Sequence, residues 1–189
     1  MENTEHLKGK ALDDAIAARL ELLKEEQADL RKDLAELGVQ INIVGDLLAR
    51  ENKSYAHALP ILMEHLRRPY TNTSREFIAR AMAMKESYPY WDELVRLYLA
   101  EPADRPDGPG DVSMGLAVAI SSSVHPSRMG DLIELLRMRH LRNRALLLMP
   151  LRRRRTRNPH IAEVLAELRH DPDLSKEINS WKGMKRRTH

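Results

Sequence analysis

Cysteine is absent from this 189-residue chain. No disulfide and no thiolate zinc site can form, and nothing argues for an oxidising compartment. Aromatic residues are scarce, at 4%, so the core cannot rest on large rings. Long apolar runs are also missing. The longest weakly polar stretch, residues 112–124, is serine-rich and falls short of the roughly 20 residues a membrane span needs. The segment Met1-Glu2-Asn3-Thr4-Glu5-His6 has no apolar centre and does not read as a signal peptide. The expectation is a cytoplasmic protein with no membrane partner.

Chemical signatures are equally thin. There is no Walker loop, no GxGxxG turn and no GxSxG elbow. The eight histidines are scattered, with no pair at HExxH spacing. No metal, no cofactor and no catalytic residue is expected, and the chain reads as a non-enzyme. The acidic segment between Glu101 and Asp111 lacks the regular ligand spacing of a calcium loop. It reads as a stiff Pro/Gly connector with Asp111 capping the helix that follows.

What is abundant is leucine, alanine, isoleucine and methionine within 42% apolar content, set among 31% charged residues. These are good helix formers, and this mixture suits thin amphipathic helices with broad exposed faces. An all-α fold is expected. Residues 10–37 read as one long helix with a seam at Leu20, Leu23, Gln27, Leu30, Leu34 and Leu37, stopped by Gly38. The seam packs either on its own domain or on a second copy, in which case Gln27 would set the register of a homodimer. A short helical segment at 41–50 and a loop with Ser54 as cap complete an N-terminal part, 1–53.

From residue 54 the pattern becomes periodic. Apolar helix faces around Leu59, Leu94, Leu132 and Val164 recur at intervals of 35, 38 and 32 residues. Each is followed by a break and a second helical run, at 74–85, 111–124, 144–155 and 174–183. Helix pairs at this period signal a solenoid, because one pair cannot bury its apolar stripe alone whereas stacked pairs share a continuous core. Leu62, Leu97, Leu135 and Leu165 are expected inside, and Tyr88, Tyr90, Trp91 and Tyr98 are expected to plug a junction between pairs.

With Pro60 inside the first such face and Arg144-Ala145-Leu146-Leu147 opening a second helix, residues 54–183 resemble the HEAT-repeat, armadillo-like proteins. The resemblance implies a short α-α superhelix whose second helices line a concave face. That face would carry Arg75 and Arg80, then Ser113, Gly115 and Ala117, then Arg144, Arg152 and Arg155, then Lys176, Trp181 and Lys185. Only the first unit has that proline, while Pro150 falls in a second helix.

Charge is divided along the chain. Residues 1–125 hold 15 basic against 21 acidic side chains, and residues 126–189 hold 16 against 7. The strongest cluster is Arg152-Arg153-Arg154-Arg155-Thr156-Arg157, with Arg142 and Arg144 upstream and a basic tail, 184–189, beyond Lys182. Guanidinium groups take carboxylate or phosphate bidentately. The same cations could instead complement a helix C-terminus or pair with Glu163 and Glu167. The candidate binding set is Arg142, Arg144, Arg152, Arg153, Arg155, Arg157, Trp181, Lys182 and Lys185. The leading expectation is a scaffold, adaptor or partner-inhibitor that binds an acidic protein. Nucleic-acid binding through phosphate contacts is the second reading. A third comes from the HEAT-like DNA glycosylases, which need a carboxylate and aromatics in a basic groove, here Glu177 beside Trp181.

Overall fold

The computed structural model describes residues 2–49, 55–104 and 110–181, with side chains from residue 10 onward. Ser54, Lys182 and Lys185, together with the 184–189 tail, lie outside the described residues. The described chain is all helical, without a strand. It begins with α1 (Glu2–Glu26) and α2 (Ala28–Glu36), followed by the 3₁₀ turn Val44–Ala49. Four hairpins come next. They are α3 (Leu59–Leu66) with α4 (Asn72–Ala81), α5 (Trp91–Leu99) with α6 (Val112–Ser123), α7 (Met129–Arg137) with α8 (Met149–Arg154), and α9 (Pro159–Leu168) with α10 (Pro172–Ser180).

The starts of these helices are written in side-chain chemistry. Thr71, Asp111, Asn158 and Asp171 each accept a hydrogen bond from a backbone N–H of the first turn, satisfying a donor the helix cannot. Pro60, Pro150, Pro159 and Pro172 stand in first turns, where a missing N–H costs nothing. Pro60 thus opens α3. Pro150 opens α8, because the preceding residues Arg144–Leu148 form a separate 3₁₀ turn. That turn starts after Asn143, whose φ of 58° is left-handed, a conformation asparagine tolerates better than most residues.

The second helices form one row. α4 packs along α6, α6 packs on the 144–148 turn and α8, and that turn packs on α10. First helices sit outside this row, α3 on α4 and α5 on α6, while α7 lies on the 144–148 turn and on α9. At the N-terminal end, α2 rests on α3 and the 44–49 turn on α4. One apolar cluster runs from Leu30 to Trp181 through every hairpin, so packing is continuous across residue 54. Leu62, Leu97, Leu135 and Leu165 are all in it, as the periodicity requires. Trp91 and Tyr98 are buried, whereas Tyr88 is exposed.

Ser113, Gly115 and Ala117 do not line an open face. All three are buried, because α6 passes so close to α4 that only small residues fit. A Cβ on Gly115 would stand 2.5 Å from the Glu76 carbonyl oxygen and 3.0 Å from the Ala79 Cβ. Since the obstacle is backbone, it cannot swing aside. Gly115→Val should therefore lower stability by about 1–3 kcal/mol, the usual cost of overpacking. Thermal melts followed by circular dichroism would read the loss, and an unchanged midpoint would contradict this packing.

The N-terminal seam is buried in its own fold at Gln27, Leu30 and Leu34, one of the two readings above, but it is not one unbroken helix. It bends at Gln27, with backbone hydrogen bonds continuing through the bend from Gln27 N to Leu23 O and from Arg31 N to Gln27 O. Gln27 is fully buried. Its Nε2 donates to Ser74 Oγ and its Oε1 accepts from Val44 N, each at 2.8 Å. It thus ties α4 to the 44–49 turn, and it is unavailable to set the register of a dimer. Beside it, the Glu26 carboxylate accepts from the Thr71 backbone N–H and from the Thr71 and Ser74 hydroxyls.

Candidate binding face

Two of the expected binding arginines are structural. Arg144 is 2% exposed. Its Nη1 donates to the Leu136 carbonyl at 2.7 Å and to Asp171 Oδ2 at 2.9 Å, and its Nη2 donates to Asp171 Oδ1 at 3.2 Å and Asp173 Oδ2 at 2.7 Å. Burial works to lower its pKa, but the two aspartates outweigh it and the guanidinium is held more firmly charged. Reciprocally, the Arg144 hydrogen bond keeps the Asp171 carboxyl below the usual carboxylate range. Arg142 lies against Asp111, Nη2 to Oδ2 at 3.2 Å, and Asp111 also accepts from Asn143 and Ser113. Burial works to raise Asp111, and these hydrogen bonds more than reverse it. Arg142 and Arg144 therefore clamp the caps of α6 and α10, with their charge already met by carboxylates.

The other basic residues assigned to the face are mostly neutralised as well. Arg75 pairs with Glu101 at 2.9 Å and Arg80 with Glu76 at 2.8 Å. On the outer row, ion pairs run from unit to unit: Arg67 to Glu93, Arg128 to Asp92 and Arg137 to Glu167. Exposed pairs of this kind add only about 0–1 kcal/mol each, but they remove those cations from consideration as free anion receptors. Glu167, considered above as a partner for the arginine run, is taken by Arg137.

The end of α8 is different. Among the described residues, Arg153, Arg155, Arg157 and Arg169 make no ion pair with a carboxylate. Arg153, Arg157 and Arg169 are exposed. Arg152 and Arg155 lie over the Trp181 ring, with guanidinium carbons 5.4 and 5.6 Å from its centroid, a cation–π arrangement. The Trp181 indole N–H donates to Glu177 Oε1 at 2.7 Å, and Trp181 is only 6% exposed. The ring is thus a platform beneath arginines and offers no open face for a base to stack on.

Between α8, α9 and α10 these residues enclose a pocket of about 320 Å³ lined by Arg155, Thr156, Ala162, Leu165, Arg169, Ile178 and Trp181. Its floor is apolar and its rim cationic. A ligand suited to it carries an apolar group flanked by negative charge. Of the residues the sequence singled out, Arg155 and Trp181 line this pocket and Arg152 lies over the Trp181 ring, whereas Arg153 and Arg157 are not among its lining. It missed Arg169, although Ala162, Leu165 and Arg169 are spaced three and four apart and so share one helix face.

Among the described residues no cluster of His, Asp and Glu could hold a metal, and no helix is long and apolar enough to cross a membrane. No protein-family model, no curated protein and no solved structure matched the chain.

Proposed function

We propose that this chain is a non-enzymatic, HEAT-like helical-repeat scaffold of the cytoplasm that binds an acidic protein segment at the arginine-rimmed pocket of its C-terminal hairpins. The observation that carries the reading is the contrast in charge pairing. Cations elsewhere on the folded chain are largely matched by carboxylates, whereas Arg155 and Arg169 line an apolar floor without a carboxylate partner, and Arg153 and Arg157, close in sequence to Arg155, are exposed and equally unmatched. Unpaired guanidinium groups beside a hydrophobic recess favour an acidic peptide with an apolar anchor, since carboxylates satisfy the rim and the anchor fills the floor.

A fluorescent peptide of alternating glutamate and leucine, set against its glutamine counterpart, tests this reading by anisotropy. The glutamate peptide should bind, more weakly at higher salt, and the glutamine peptide should not. Reversing Arg153, Arg155, Arg157 and Arg169 to glutamate should leave the helical spectrum intact and weaken binding by at least about tenfold, roughly 1.4 kcal/mol. Unchanged binding would move the site elsewhere. Duplex and single-stranded oligonucleotides serve as the competing arm: tight, steeply salt-dependent binding there, with none to the peptide, would favour phosphate as the ligand.

A further inference from the structure

The stripe that buries α2 does not end where the folded body ends. Leu34, Leu30 and Gln27 are fully buried. The same helix face continues outward through Leu23, Leu20, Ile16 and Leu12 at spacings of four and three. Beyond Leu23 it is uncovered. All residues from 10 to 22 are exposed, with Leu12 at 61%, Ile16 at 50% and Leu22 at 67%. An isolated helix is marginal in water, and most helical stability in proteins comes from packing an apolar face. Contiguous exposed apolar surface of this kind marks a site of association.

Charge selects the occupant. Leaving aside Glu26, which is tied to Thr71 and Ser74, Asp13, Asp14, Glu21 and Glu25 outnumber Lys10, Arg19 and Lys24 on this segment. Two such helices brought together would add like charge, and an anionic membrane surface would repel the acidic face. The complementary surface on the molecule is the pocket at the opposite end of the array, apolar at Leu165 and Ile178 and cationic at Arg155 and Arg169. Within one chain the two cannot meet. Leu12 and Ile16 stay exposed in the single chain, and α1 leads into α2, which packs on α3 at the far end from α10.

We infer that α1 of one copy docks its Leu12–Ile16 ridge into the arginine-rimmed α8–α10 pocket of a second copy, so that the chain assembles head to tail. This rests on the proposed acidic-segment reading and names the segment. The contact is a helix in a groove, with apolar anchors four residues apart and acidic neighbours reaching the rim. It is heterologous, so a docked pair as a whole keeps one free α1 and one free pocket, and growth continues unless a ring closes.

Sedimentation velocity on the full chain tests it. The mass should rise with protein concentration and fall with salt. Leu12→Ala/Ile16→Ala should be monomeric, and so should Arg155→Glu/Arg169→Glu. Alanine at exposed helical positions raises helix propensity, so the first variant keeps its fold, and the exposed single change Arg169→Glu serves if the double change perturbs Trp181. The decisive arm is the mixture. One variant retains the pocket and the other the ridge, so an equimolar mixture should form a one-to-one dimer that grows no further. A wild-type chain that stays monomeric overturns the inference, as does a dimer indifferent to the arginine changes, which would mean α1 pairing with α1. A monomeric wild type that still binds the glutamate–leucine peptide would remove self-docking while sparing the acidic-partner reading. Self-association without peptide binding would do the reverse.

Discussion

Arg144→Leu should destabilise the chain by about 3–5 kcal/mol, the cost of breaking a buried ion pair from one side. The guanidinium is enclosed, and it joins the Leu136 carbonyl at the end of α7 to both Asp171 and Asp173 at the start of α10. Leucine can fill part of the volume, but it leaves the Asp171 carboxylate, itself buried, with only the exposed Arg139 guanidinium, 3.7 Å away, as a cation. Urea unfolding monitored at 222 nm would read the change. The pair also carries a pH signature. Asp171 has a folded pKa below its unfolded value, so its contribution is present above the unfolded pKa and is lost as pH falls through the folded one. Stability of the parent should therefore decline on acidification below the ordinary aspartate range, and Arg144→Leu should show a shallower decline. Parallel acid profiles would mean that Asp171 is held by something other than Arg144. The double change Arg144→Leu/Asp171→Asn, which removes both charges, should recover part of the loss.

Leu135→Asp should leave no folded population. Leu135 is 3% exposed on α7, in the cluster that links the second and third hairpins to the fourth. A carboxylate there has no cation and no water, and the fold must either ionise it at a cost of several kcal/mol or protonate it while losing the leucine packing. Either course consumes most of the roughly 5–15 kcal/mol that holds a domain of this size. The control is Leu146→Asp, a residue nearby in sequence that is partly exposed and should be tolerated. Circular dichroism of the two proteins side by side is sufficient. A cooperative melt for Leu135→Asp near the parent midpoint would refute the packing of the third hairpin.

The periodic spacing of Leu59, Leu94, Leu132 and Val164 revealed the hairpins because the burial of an apolar stripe is a local, repeating demand. Caps such as Asp111 were legible for the same reason: the donor a cap satisfies lies two or three residues away. Gln27, Arg144, Ser113 and Gly115 were misread, and each for a non-local reason. Gln27 meets partners 17 and 47 residues off. Arg144 meets Asp171 across 27. Gly115 is small because α4 lies against it. No pattern within a window of one or two turns records such distances. The arginine run reaches the C-terminal pocket through Arg155, but periodicity could not sort which guanidinium groups the fold would neutralise. That sorting depends on where Glu101, Glu167, Asp111 and Asp171 come to rest.

Several polar ties of the inner row cross from one unit to the next. Glu26 holds Thr71 and Ser74, Asp111 is held by Arg142 and Asn143, and Arg144 holds Asp171. Pulled apart from its two ends, the molecule would load these clasps in series instead of sharing the force among them. It should therefore yield one joint at a time, extending in steps like a released chain of buckles, and the remaining links would keep their grip while a neighbour gives way.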